Sequence, residues 1–243
     1  MPDAEAEIAR ARLLELVPGG FEEVESGGWV ELAAYTDEAC EAMIREAFTD
    51  VSSRRVEAGW EDRWREFHRP VRVGGLWIGP SWEPAPGDEK VVVVDPGRAF
   101  GTGAHPTTRA CIELLADLER GAVLDAGCGS GVVAVAAVRL GFDPVSAVDL
   151  DPVAVDVARD TARRNGTRVD VRRADVLRDE LPRADLVVAN IELAVVEALL
   201  ARRPGRTAVT SGYLAHEAPR ALGWSPVSRM ELDGWGADVL IAK

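Results

Sequence analysis

Between Val123 and Gly131 a mostly apolar stretch, Val123-Leu124-Asp125-Ala126, runs into three alternate glycines, Gly127, Gly129 and Gly131, and straight into the apolar helical pattern of Val132 to Leu140. A short strand without polar alternation is buried on both faces, which places it inside a parallel sheet covered by helices. The alternation continues on both sides of this unit. Strands are predicted at Val91–Val94, Ala122–Asp125, Val145–Asp149, Val169–Arg173, Leu186–Asn190 and Thr207–Ser211. Helices are predicted at Thr107–Leu118, Val132–Leu140, Val153–Asn165, Leu193–Ala201 and Ala215–Leu222, and two terminal strands near Pro226–Leu232 and Ala237–Ala242. The pattern specifies an α/β fold, a doubly wound, mostly parallel, seven-stranded Rossmann-like sheet whose ligands bind outside the carboxyl ends of its strands.

Upstream the rhythm changes. An amphipathic helix is predicted from Glu5 to Leu16, a hairpin from Phe21–Glu25 and Trp29–Tyr35 about Gly27-Gly28, a helix from Asp37 to Phe48 and a strand from Val51 to Val56. Residues 1–58 then form a small α+β domain. Residues 59–88 hold Trp60, Trp64, Trp77 and Trp82 with Pro70, Pro80, Pro84 and Pro86, a linker whose indoles are expected to cement two domains. Residues 89–243 carry the large sheet.

Composition narrows the function. The 243 residues, 47% hydrophobic and 28% charged, are long enough for one large core beside a small domain. No apolar run reaches the roughly eighteen residues of a membrane span, and no leader follows the acidic start, so a cytoplasmic location is expected. Cys40, Cys111 and Cys128 form no C-x-x-C pair, so neither a disulfide framework nor a metal site is expected. A formal charge of −13 repels phosphate backbones. No direct nucleic-acid binding is expected, and a basic protein partner fits better.

The three glycines let a backbone approach a ligand closely, yet the sixth position of a dinucleotide fingerprint is Val132 rather than glycine. A nucleoside without phosphate suits this loop, and a plain tight turn is the alternative. Asp149 ends the next strand, where a carboxylate can accept hydrogen bonds from both ribose hydroxyls, while Asp151, just before Pro152, is placed to cap a helix. Asp175 and Val176 follow the next strand at the height of an adenine edge, with an ordinary loop carboxylate as the other reading. Asn190 ends a further strand, either as a helix cap or as an amide whose oxygen orients an amine toward a methyl group. In the loop before the helix, Phe100 can exclude water, and His105 is either a base or a structural residue.

Taken together, Phe100-Gly101-Thr102-Gly103-Ala104-His105-Pro106-Thr107-Thr108, Leu124 to Gly131, Asp149-Leu150-Asp151-Pro152 and Ala189-Asn190-Ile191 resemble, in order and spacing, the ribosomal protein L11 methyltransferases. The likeness reaches upstream to Trp60-Glu61-Asp62-Arg63-Trp64. It implies S-adenosylmethionine as cofactor, contacted by Thr108, Gly127, Asp149 and Asn190, with Phe100 to Gly103 closing over it. Candidate cofactor-binding positions are therefore Phe100, Gly101, Thr102, Gly103, Thr107, Thr108, Asp125, Gly127, Gly129, Gly131, Asp149, Leu150, Asp175, Val176 and Asn190. The resemblance also implies an enzyme that methylates lysine side chains and the α-amine of ribosomal protein L11 through a small recognition domain. Two features depart from the family pattern: the N-terminal segment is short and opens with a helix, and Glu192-Leu193-Ala194-Val195-Val196 stands where a proline commonly follows Asn-Ile. Methylation of another protein lysine or a small amine, and a non-catalytic cofactor-binding module, are the alternatives.

Overall fold

A computed structural model describes residues 9, 12–13, 16–17, 22–26, 29–34, 36, 38–48, 50–53, 68–87, 90–96, 101 and 103–243. The chain divides into two compact units, Met1–Trp60 and Glu61–Lys243.

In the first unit β1 (Glu22–Ser26) and β2 (Trp29–Ala33) pair antiparallel with Ser26 opposite Trp29, the register a two-residue Gly-Gly connection allows. Helix α1 (Glu38–Ala47) follows. It is tied to the segment before the hairpin by Cys40 Sγ, which donates to the Leu16 carbonyl at 3.4 Å, while the Arg12 guanidinium lies 5.8 Å from the centre of the Phe48 ring. Of the strand expected at Val51–Val56, residues 51–53 are irregular and the remainder lies outside the described residues, as do Trp60, Trp64 and most of the helix expected at Glu5–Leu16.

The second unit opens with β3 (Val71–Val73), β4 (Leu76–Gly79) and β5 (Lys90–Val93), a separate three-stranded sheet in which β4 runs antiparallel to β3 and parallel to β5. Residues 71–79, read above as linker, thus contribute two strands. Trp77 is 3% exposed, and its ring lies 2.7 Å from where a Cβ on Gly79 would stand. That glycine gives the indole its berth inside the unit.

Then come α2 (Pro106–Ala116), β6 (Val123–Ala126), α3 (Val132–Leu140), β7 (Val145–Asp149), α4 (Pro152–Arg164), β8 (Asp170–Arg173), β9 (Leu186–Asn190), α5 (Leu193–Ala201), β10 (Thr207–Leu214), β11 (Trp224–Leu232) and β12 (Trp235–Ala242). The large sheet has the order β11-β12-β10-β9-β6-β7-β8. It is parallel from β10 to β8, and only β12 opposes its neighbours. Strand order reverses at β6, the point at whose carboxyl edge sheets of this kind bind their ligands.

Successive residues of the strands feed opposite cores. Val123, Val188, Val209 and Val239 pack with α2, α3, α4 and the small sheet. Leu124, Val187, Ala208 and Leu240 pack with α5 on the other face. Burial on both sides explains the unbroken apolar runs of the central strands, whereas the edge strand β8 buries only Val171. Helix α3, flanked by the sheet, α2, α4 and β5, buries seven residues, Val132 to Ala137 and Leu140.

The helix expected at Ala215–Leu222 is absent. Strand β10 continues to Leu214, and the segment after it is turn and irregular chain. Pro219 lacks the N–H that a helix interior needs, and Leu222 is 98% exposed, so no apolar stripe is buried there. Among the described residues no helix is long and apolar enough to cross a membrane.

Asn165, which ends α4, fastens the small sheet to the large one. Its Oδ1 accepts from Val93 N–H at 2.7 Å, and its Nδ2 donates to the carbonyls of Val93 at 2.7 Å and Thr161 at 2.8 Å. Arg139 adds Nε to the Val91 carbonyl at 3.0 Å. Replacing Asn165 by Ala strands the Val93 backbone groups, and chemical denaturation should show a loss of about 2–4 kcal/mol. A loss within about 0.5 kcal/mol, typical of surface substitutions, would mean that water replaces the amide without cost.

Candidate active site

The glycine turn is bound to the end of β7 first through backbone groups. Gly127 and Cys128 both donate to the Val148 carbonyl, at 2.9 and 3.0 Å, and Gly131 N–H closes the turn on the Cys128 carbonyl at 2.8 Å. All three glycines have positive φ, +79°, +51° and +77°. Two are also demanded by packing. A Cβ on Gly127 would stand 2.4 Å from Ile191 Cγ2, and one on Gly131 would stand 2.9 Å from Ala158 Cα, where α3 meets α4. The tight-turn reading therefore accounts for Gly127 and Gly131, while Gly129 turns its N–H outward to Asp149.

Asp149 is half-buried at the tip of β7. Its Oδ2 accepts from Gly129 N–H at 2.9 Å and its Oδ1 from Asp151 N–H at 3.0 Å. Each oxygen keeps a lone pair, so the fixed carboxylate has capacity for further donors such as a vicinal diol. Asp151 caps α4, accepting from Val153 N–H at 2.8 Å ahead of Pro152, as its position predicts. Leu150 lies between these carboxylates, 59% exposed.

Asn190 ends β9 opposite Ser211 of β10. Its Nδ2 donates to Thr108 Oγ1 at 3.3 Å, and among the described residues its Oδ1 has no hydrogen-bond donor. Thr108 is 1% exposed on the first turn of α2. The amide is therefore held through its nitrogen, which leaves its acceptor available. Thr107, 2% exposed, is engaged locally: its Oγ1 lies 2.8 Å from His105 Nδ1, which also accepts its backbone N–H at 3.4 Å. His105 is the N-cap of α2, with its ring edge-on to Trp235 at 5.1 Å. Burial lowers its pKa, which keeps the Nδ1 lone pair that the cap uses.

Gly101 and Gly103 both lie beside Val132 at the start of α3. The Gly101 carbonyl accepts from Ser130 Oγ, and Gly103 sits where a Cβ would come within 2.6 Å of Ile78 Cγ2. Phe100 and Thr102 lie outside the described residues. Asp175 sits in the next loop, where its Oδ1 accepts from Leu177 N–H at 2.8 Å and its Oδ2 lies 3.5 Å from the exposed Arg178 Nε. Val176 packs against the α5 core. Sequence reasoning missed Ser130, Ile191 and Gly212. The visible signal for the last was a glycine at the end of an apolar strand, which marks a bulge or a close approach.

Residues 24–222 match the family described as Ribosomal protein L11 methyltransferase (PrmA). The chain belongs to this family. Relatives named ribosomal protein L11 methyltransferase include one from Vibrio campbellii, 44% identical over 128 residues that make up 51% of this chain and 43% of that protein. One from Photobacterium profundum is 45% identical over 128 residues, 51% of this chain and 44% of that protein. These matches span less than half the length of the relatives. A crystal structure of a ribosomal protein L11 methylase from Lactobacillus delbrueckii subsp. bulgaricus superposes with a TM-score of 0.62 at 27% identity, over 70% of this chain and 95% of that one.

Within the PrmA-family fold, Asp125 occupies the floor rather than the crevice. It is 2% exposed, and its Oδ2 accepts from Ala134 N–H at 3.0 Å, joining β6 to the first turn of α3. Burial, opposed by that hydrogen bond and reinforced by the Asp149 charge, raises its pKa to about 7. The folded state therefore holds a proton on Asp125 that the unfolded chain has released above about pH 4. The resulting stabilisation is complete below that pH and is lost as pH rises through about 7. Asp125→Asn keeps an acceptor for Ala134 without the charge. The melting temperature of the variant should gain on the wild type progressively between about pH 5 and pH 8, and a difference constant across that range would refute the buried titration.

Proposed function

We propose that this chain is an S-adenosylmethionine-dependent N-methyltransferase acting on amino groups, lysine side chains and the α-amine, of ribosomal protein L11. The carrying observation is that Asp149, the glycine turn and the open Oδ1 of Asn190 converge at the strand-order reversal. The turn is held to β7 by backbone hydrogen bonds, with no glycine at Val132 for a pyrophosphate, which suits a nucleoside. Asp149 would hold both ribose hydroxyls. Leu150 and Val176 would flank the base, and Gly101 to Gly103 would cover it. When bound, S-adenosylmethionine supplies a methyl group on a positively charged sulfur.

The chain's own part is alignment. Asn190 Oδ1 accepts a hydrogen bond from the incoming amine and directs its lone pair at the methyl group, with Thr108 holding the amide. A lysine amine, pKa ~10.4 in water, must lose a proton first, and desolvation in a crevice beside a positive charge favours the neutral form. His105 uses its Nδ1 to cap α2, and solvent takes the proton in this scheme.

The partner reading rests on family membership and on charge. Residues 1–60 carry 14 acidic and 5 basic side chains, so most of the chain's −13 lies in the unit assigned to substrate recognition, where it attracts a basic protein.

The test is mass spectrometry of purified ribosomal protein L11 from the same organism after incubation with this protein and S-adenosylmethionine. Methyl masses should accumulate on amino groups and vanish with Asp149→Ala. Asn190→Ala should cut turnover about 10²-fold while the cofactor dissociation constant from calorimetry stays nearly unchanged. Cofactor binding without any methyl gain on L11 would move the substrate to another amine. No cofactor binding would defeat the enzyme reading.

A further inference from the structure

We infer that Ile191 is a positioning residue for Asn190, clamped between two positions that tolerate no Cβ. On one side is Gly127 of the cofactor-side turn, where a Cβ would stand 2.4 Å from Ile191 Cγ2. On the other is Gly212, at φ +100°, where a Cβ would stand 2.2 Å from the Ile191 carbonyl oxygen, 2.8 Å from its carbonyl carbon and 2.9 Å from its nitrogen. Ile191 N–H also donates to the Ser211 carbonyl at 3.2 Å. The register of β10 against β12 shifts between Ser211 and Tyr213, so Gly212 sits in a bulge. The bulge makes room for the backbone that leaves β9.

The two contacts differ in kind. Gly127 meets the side chain of Ile191, and Gly212 meets its main chain. Together they fix the residue after Asn190, while Thr108 holds the Asn190 amide from α2. A shift of either glycine's neighbourhood is therefore passed to the carboxamide oxygen. The clamp joins the turn that approaches the methyl donor to the group that aims the acceptor. The activity arm of the test rests on the methyl-transfer reading above, and the spectroscopic arm does not.

The chain contains two asparagines, Asn165 and Asn190, and no glutamine. A 15N-correlation spectrum therefore holds two side-chain amide pairs, and Asn165, whose carboxamide is hydrogen-bonded through both its oxygen and its nitrogen, is an internal control. Ile191→Ala removes Cγ2 and should move the Asn190 pair while the Asn165 pair stays in place. Turnover should fall on the order of 10- to 100-fold with the S-adenosylmethionine dissociation constant within about twofold of wild type, and Ile191→Val, which keeps Cγ2, should restore both readouts. Gly212→Ala should act in the same direction. If it also moves the Asn165 pair, the fold has changed and Ile191→Ala decides. An unmoved Asn190 pair in Ile191→Ala, or a moved pair with full turnover, overturns the inference. Should the wild type transfer no methyl group to any amine, the functional reading falls, and the amide pairs still decide whether Ile191 positions Asn190.

Discussion

Three N–H groups of one turn, those of Gly127, Cys128 and Gly129, donate to the last two residues of the neighbouring strand, Val148 through its carbonyl and Asp149 through its carboxylate. The rest of the second unit is arranged around this tie. It aligns the start of α3 with the end of β7, and α3 is the helix with apolar neighbours on nearly every side. A buried helix start must satisfy its free N–H groups from within the protein. Asp125 supplies an acceptor to Ala134, and Ser130 Oγ another to Val132 N–H at 3.3 Å. Side chains that could be taken for ligand contacts are thus partly consumed in holding the turn.

The small β3-β4-β5 sheet serves the same site from outside. It packs on α2 and α3, and Asn165 and Arg139 bind its last strand from below. Ile78 of β4 lies against Gly103, so this sheet also fixes the residues that lead into α2. What looks in sequence like a linker is a layer of the second unit. Its short, proline-flanked strands and the buried Trp77 reflect a compact cover over helices rather than an extended connection.

Much of the architecture is legible in the sequence because burial on two faces leaves an unmistakable apolar run. The strands at Leu186–Asn190 and Val145–Asp149 follow their predicted bounds, and the capping of α4 by Asp151 follows from an acid before proline. The segment Ala215–Leu222 has the apolar spacing of a helix, while Pro219 and the exposed Leu222 deny it one. Asp149 and Asn190 are legible as strand tips on one edge. Gly212 is legible only as a glycine that marks a bulge, and its contact with Ile191 is not legible at all, since the separation of the two residues in sequence carries no periodic signal.

The amino-acid sequence by itself determined the α/β class, the parallel core and the family, because those depend on local pattern and on motif order along the chain. Only the tertiary structure decided which glycines answer to packing and which to Asp149, that Nδ1 of His105 and the carboxylate of Asp125 serve helix starts, and that the Asn190 oxygen meets no donor among the described residues. Those outcomes depend on distances between residues of different elements. Such distances are set when both faces of the sheet are covered, and they follow from no single segment.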